Sequence, residues 1–125
     1  MSTSSDDSDV WPRELVLDRE KRNLRIDFGD GAVYALPAEY LRVETPSAEA
    51  KGHSPAERRI VAGKRNVAIR AVEPVGHYAV RLIFDDGHST GIYSWPYLHE
   101  LGRDRAKKWQ AYLDELGGKG LSRDP

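Results

Sequence analysis

The chain has 125 residues, 31% of them charged and 39% apolar, which suits one soluble globular domain with a single core. A formal charge of −1 offers no global field for nucleic acid or membrane, and the absence of cysteine excludes disulfides, thiolate catalysis and cysteine-ligated metal. No apolar run nears the ~20 residues of a membrane span, and the acidic, Ser-rich start is unlike a signal peptide, so the expected compartment is the cytoplasm.

Residues 1–10 (MSTSSDDSDV) have nothing to bury and read as a disordered tail. The folded domain is expected over 11–117. Glu14 to Leu17 makes a short strand. Leu24, Ile26 and Phe28 alternate with Arg25 and Asp27, the period of a half-buried strand, and Asp30-Gly31 supplies a hairpin turn. Pro37 to Arg42 reads as a helical turn or short helix.

From Val43 to Asn66 the chain is turn-rich, with one helical turn expected over Ala56 to Val61. Lys51 to Arg70 carries six Lys or Arg against one Glu, a segment that can grip phosphate but lacks interleaved aromatics. Val67 to Val75 returns to a strand pattern, which Pro74 and Gly76 are expected to end.

The run Tyr78 to Phe84 alternates as a strand, and Asp86-Gly87 is the dipeptide that a two-residue type I′ hairpin wants. Ile92 and Tyr93 lie in the return strand, and Ser94 caps a helix opened by Trp95-Pro96, which Gly102 is expected to break. Asp104 is placed to cap a second helix whose Trp109, Tyr112, Leu113 and Leu116 form an apolar stripe ending at Gly117-Gly118. Residues 118–125 are expected to fray.

An internal echo runs through this pattern. Leu24-Arg25, Phe28 and Asp30-Gly31 match Val80-Arg81, Phe84 and Asp86-Gly87 at a constant spacing, and Tyr40-Leu41 answers Tyr97-Leu98 one residue further out. Repetition and chance similarity of two Asp-Gly hairpins both account for it. The elements together predict an α+β fold: a small antiparallel sheet of paired β-hairpins with C-terminal helices packed on one face.

Enzyme signatures are missing. Asp85 and Asp86 are chain neighbours and on a strand would face opposite ways. His99-Glu100 lacks a second histidine four residues on, Gly117-Gly118-Lys119-Gly120 lacks the spacing of a phosphate loop, and no G-x-S-x-G or H-x-D occurs. No enzymatic activity is expected.

Leu41-Arg42, Thr45-Pro46-Ser47-Ala48-Glu49, the Gly76 to Phe84 strand and the block Asp85-Asp86-Gly87-His88-Ser89-Thr90-Gly91-Ile92-Tyr93-Ser94-Trp95 resemble the gamma-butyrobetaine hydroxylase-like N-terminal domain family, also catalogued as a domain of unknown function. The resemblance, of the stand-alone bacterial type, covers roughly residues 11 to 115. It implies two contexts: a domain preceding the iron domain of carnitine-pathway oxygenases, with a structural zinc on three cysteines and one histidine, and a domain appended to P-loop ATPases that carry iron–sulfur clusters. The zinc histidine corresponds to His88 and the cysteines to Thr45, Ser47 and Ala50, none of which supplies a thiolate.

The resulting expectation is a non-catalytic binding or adaptor domain linked to iron–sulfur or metal-dependent metabolism. Its face comprises the 45–53 loop and the His88 hairpin: Arg42, Thr45, Ser47, Glu49, His53, His88, Ser89, Tyr93 and Trp95. The expected partner is a protein, an iron–sulfur carrier ATPase or an oxygenase, with no membrane and no nucleic acid. No cofactor is expected. The alternatives are a residual zinc or iron site through His88, and phosphate or nucleic-acid binding by the basic 51–70 segment.

Overall fold

The computed structural model describes residues 11–29, 31–46 and 60–125. Its elements run β1 (Glu14–Leu17), β2 (Asn23–Asp27), β3 (Val33–Pro37), α1 (Ala38–Val43), β4 (Ile69–Val75), β5 (Ala79–Phe84), β6 (Ile92–Ser94), α2 (Trp95–Arg103) and α3 (Arg105–Gly118). The α+β class follows the sequence. The strands divide into two antiparallel sheets of three, β1-β2-β3 and β4-β5-β6: within each sheet every strand pairs with its neighbour in the chain, and β3 does not pair with β4. Among the described residues no helix is long and apolar enough to cross a membrane.

The echo in the sequence is an echo in structure. Each half is a three-stranded meander followed by a helix. Leu24 pairs with Leu36 as Val80 pairs with Tyr93, and Ala38 N donates to Arg22 O as Trp95 N donates to Tyr78 O. The second unit carries one extra residue between His88 and Ile92, which explains the one-residue shift of the helices.

The two units also contact each other reciprocally. Tyr40 Oη in α1 donates to Leu101 O at the end of α2 (2.7 Å), and Tyr97 Oη in α2 donates to Glu44 O after α1 (2.5 Å). Tyr40 corresponds to Tyr97, and Glu44 to Leu101. A contact in which i meets j′ while i′ meets j is the signature of an isologous, twofold interface. Lys21, at φ +63, adds a backbone link between the sheets, its carbonyl accepting from Ile69 N (2.8 Å).

One core lies between the units. Leu24, Ile26, Leu36 and Leu41 from the first pack with Ile69, Leu82, Phe84, Tyr93, Leu98 and Leu101 from the second, all at 0–1% exposure. At roughly 1.5–3 kcal/mol per buried large side chain, this shared cluster is the main favourable term. The α3 helix closes the α1 side: Trp109 meets Tyr40 edge-on with centroids 6.2 Å apart, and Tyr112 Oη donates to Val61 O (2.6 Å).

Several local expectations are corrected. Strand β4 ends at Val75, before Gly76, as expected, but Pro74 lies within it, since it is an edge strand and the missing N–H interrupts nothing. Helix α2 continues through Gly102 to Arg103. A Cβ on Gly102 would lie 2.3 Å from the Tyr34 ring, so this glycine serves a close approach between units. Asp104 occupies the cap position of α3, but its carboxylate pairs bidentately with Arg103 (3.0 and 3.0 Å) and leaves the helix without a side-chain cap.

Residues 119–125, for which the sequence predicts fraying, are held on both sides. Gly63 N donates to Ser122 O (2.9 Å) and Arg65 N to Arg123 O (3.0 Å). Arg123 forks onto Glu39, whose residue is 7% exposed (2.7 and 2.7 Å), with its guanidinium 5.2 Å from the Trp109 ring. The anchors are a buried carboxylate and an indole on distant elements. The expected 1–10 tail and the turn residue Asp30 lie outside the described residues.

Two outcomes test this architecture. Tyr40→Phe and Tyr97→Phe each strip a helix-end carbonyl of its donor, and each should cost about 1 kcal/mol in urea unfolding, with Tyr40→Phe the larger because its phenol is fully buried. Arg123→Met should cost about 2 kcal/mol by leaving Glu39 without its cation, and Glu39→Gln in the same chain should recover part of that loss.

Candidate functional site

The loop between β5 and β6 is built around the turn Asp85-Asp86-Gly87. Gly87 N donates to Phe84 O (3.2 Å), Phe84 N donates to His88 O (2.9 Å), and Gly87 alone of the turn residues is left-handed, at φ +92. This is the three-residue hairpin loop with a glycine bulge, not the two-residue type I′ turn expected of Asp-Gly. The sister unit repeats the closing bond, Phe28 N donating to Ala32 O (2.9 Å).

Asp86 keeps an ordinary backbone, as a three-residue loop of this kind requires, and its carboxylate is in use. Oδ1 accepts from His88 N (3.0 Å), and Oδ2 accepts from both Arg42 Nε (2.8 Å) and Lys64 Nζ (2.6 Å). The three side chains are 18%, 13% and 24% exposed. Burial disfavours the ionised carboxylate, but Lys64, the His88 amide and Arg42 together outweigh it and hold Asp86 down at about 2. Asp85 does separate work: its Oδ1 accepts from Ala68 N (3.1 Å), tying the turn to the approach of β4.

Beneath the turn lies a chain of hydroxyls. Tyr93, at 0% exposure, donates to Leu41 O (2.5 Å) and is also bonded to the Thr45 side chain, while burial pushes its phenol well above the usual range. Thr45 Oγ1 is 3.1 Å from His88 Nε2. Tyr93 has spent its one proton on Leu41, so Thr45 donates to Tyr93 and accepts from His88. This proton order assigns the Nε2–H tautomer to His88. A Cβ on Gly91 would lie 2.4 Å from Thr45 Oγ1, so glycine is needed for Thr45 to occupy this place.

The structure thus gathers Arg42, Thr45, His88 and the buried Tyr93 at one end of β5. Ser89 is exposed on the same loop. Trp95 goes elsewhere: its Nε1 donates to His77 O (2.7 Å) beside Tyr78, at the opposite end of β5. Ser47, Glu49, Ala50 and His53 lie outside the described residues. Sequence reasoning missed Lys64 and Asp86 as site members. Lys64 was hidden in a run of basic residues, and only the fold brings it to Asp86.

The approximate twofold gives this corner a sister. There Ala32 stands for His88, Tyr34 for Gly91, His99 for Arg42 and Gly102 for Thr45. The large and small partners have changed places, with Tyr34 packed against Gly102 where Thr45 packs against Gly91. Phe28, Tyr34 and His99 close the sister corner edge-to-face, with centroids 4.9 to 6.1 Å apart. One corner is filled by rings, the other by a charged cluster and a hydroxyl chain.

The model of the family described as gamma-butyrobetaine hydroxylase-like, N-terminal matches residues 15–99. The chain belongs to this family. It is similar to two proteins solved in solution by NMR, each at 43% identity. Their TM-scores are 0.81 and 0.79, with 93% and 100% of this chain and 91% and 92% of theirs covered. It is also similar to the crystal structure of a protein of unknown function, of the DUF971 family, from Acidithiobacillus ferrooxidans ATCC 23270. That match has 43% identity and a TM-score of 0.61, over 73% of this chain and 91% of the other. No curated protein matches the chain. The family is a domain of unknown function.

The zinc that the family resemblance implies does not fit the donors described. Thr45 offers a neutral hydroxyl, 2% exposed and already bonded to Tyr93 and His88, and His88 turns its Nε2–H toward it. A structural zinc takes four ligands of thiolate, imidazole or carboxylate type. Among the described residues no three such side chains come together.

The depressed Asp86 gives a pH test. Its carboxylate contributes stability that is fully present above the unfolded value of about 4 and is lost as pH falls through its folded value of about 2. Urea midpoints measured from pH 5 to pH 2 should fall more steeply for the parent chain than for Asp86→Asn. Parallel curves would show that the cluster adds nothing. His88→Ala should cost about 1 kcal/mol and speed amide exchange at Thr45, with His88→Asn recovering part of the loss and His88→Phe none.

Proposed function

We propose that this chain is a non-catalytic binding module that presents the His88 turn and the residues following α1 to a protein partner. The observation that carries this reading is the internal commitment of Asp86 and His88 at the corner. Asp86 is fixed by three donors and His88 is fastened to Thr45. A general acid or base must exchange a proton with a reacting group within hydrogen-bond reach, and these groups are spent on holding the turn in shape. The rim of that fixed turn, Asp85, Gly87, Ser89 and Thr90, is exposed. A rigid loop with an open rim binds without a large ordering cost.

The contexts implied by the family resemblance, a domain beside an iron oxygenase or an iron–sulfur ATPase, favour a partner from metal-linked metabolism. The test is site-specific photo-crosslinking in native cells. A crosslinking residue at Ser89 should give one discrete adduct, and the same residue at Tyr78, exposed at the far end of β5, should not. Equal adducts from both positions, or none from Ser89, would defeat the proposal.

A further inference from the structure

We infer that Arg42 and Lys64 form a binding site for an oxyanion, a carboxylate or phosphate group, with Asp86 as their built-in counter-ion. This rests on the reading of the corner as a binding face and names the chemistry that it takes. Two cations converge on one oxygen. Both lie within 2.8 Å of Asp86 Oδ2, so Arg42 Nε and Lys64 Nζ are at most about 5.4 Å apart. Their mutual repulsion is offset by a single carboxylate in a place where all three side chains are largely screened from water. Asp85, the other acid of the turn, is exposed and points one oxygen at Ala68 N. The cluster therefore carries one positive charge more than it neutralises.

The donors for a second anion are present. Arg42 uses Nε on Asp86, and its two terminal amino groups make no hydrogen bond to another described residue. Neither is a fully buried orphan, and the Arg42 side chain keeps 13% of its surface exposed. They are the pair that a guanidinium offers to a carboxylate or phosphate in a fork. With Nε fixed, their plane is fixed as well, which lowers the entropy lost on binding.

An internal control separates this cluster from the needs of the fold. The sister corner makes the same Phe-to-i+4 closing bond and closes the units with Tyr34 against Gly102, with His99 in place of Arg42 set among rings. A corner of this shape closes without an Arg–Lys–carboxylate cluster. The charged version stabilises its own turn, but closure alone does not require it, and it has the composition of a recognition site.

The experiment is an NMR titration of the full-length labelled protein at constant ionic strength, with inorganic phosphate in one arm and succinate in the other. Arg42 Nε–H and the amides of Asp86 to Ser89 should shift and saturate in at least one arm. Response to phosphate alone identifies a phosphate group as ligand, and response to succinate alone or to both identifies a carboxylate or a general oxyanion; each supports the site. Arg42→Lys keeps the charge but loses the fork and should weaken binding about tenfold. Lys64→Gln should weaken it while leaving the fold intact. Arg81→Gln, on the outer face of the second sheet, should change nothing. Absence of saturation in both arms, or shifts spread evenly over exposed Lys and Arg, would overturn the site. If Ser89 crosslinks persist in that event, the binding-module reading stands and only its anion chemistry falls.

Discussion

Two phenol hydroxyls, exchanged between the halves of the chain, set the geometry that everything else inherits. A helix ends in carbonyls without intrahelical donors, and a buried phenol needs an acceptor. Each half answers the other's deficit: Tyr40 reaches the end of α2 and Tyr97 the end of the turn after α1. Both bonds form together only when the two units are related by an approximate twofold. That relation stacks the sheets on one core and presents the end of each helix to the β-turn of the other unit. The two corners are consequences of it.

From that symmetry follows the value of the differences. A three-stranded meander with one helix leaves an apolar face open, so each unit supplies the other's missing layer. The paired corners must both be filled, and they are filled by different chemistry. Tyr34 against Gly102 is solved by an aromatic ring and the bare backbone of a helix. Thr45 against Gly91 brings hydroxyls inward, which is tolerable only because Tyr93, Leu41 and His88 satisfy them in series. A half-satisfied version of that chain would be worse than a ring, so its presence is a commitment to keeping a polar turn above it.

Much of this was legible in the chain. The alternation of Leu24, Ile26 and Phe28 and of Val80, Leu82 and Phe84 is a local signal with period two, and the repeated Phe-x-Asp-Gly fixes two hairpins. The family block around His88 carried the corner itself. What escaped depends on distant partners. Gly102 reads as a helix stop until Tyr34 arrives from β3. Asp86 reads as the left-handed residue of a type I′ turn until Arg42 and Lys64 claim its carboxylate. Nothing in the sequence marks Glu39 as buried, and only Arg123, from the far end of the chain, offsets its burial. The two sheets were read as one because strand pattern says which residues pair and not where a sheet stops.

The same turn also governs the chain on either side of residues 47–59. Thr45 stands just before that stretch and is fastened to His88, while Lys64 follows it and is fastened to Asp86. Two contacts two residues apart in the sequence, Asp86 and His88, thus position both the exit and the return of the chain. Fixing both ends at one point costs closure entropy that grows only slowly with the length between them, so the number of intervening residues is free to vary while the corner stays the same. A group that competes with Asp86 for Lys64 acts on the return end. One that disturbs His88 acts on the exit end. The physical link between the corner and the stretch it anchors is therefore built from two independent hydrogen bonds, and each is separable from the other by a single substitution.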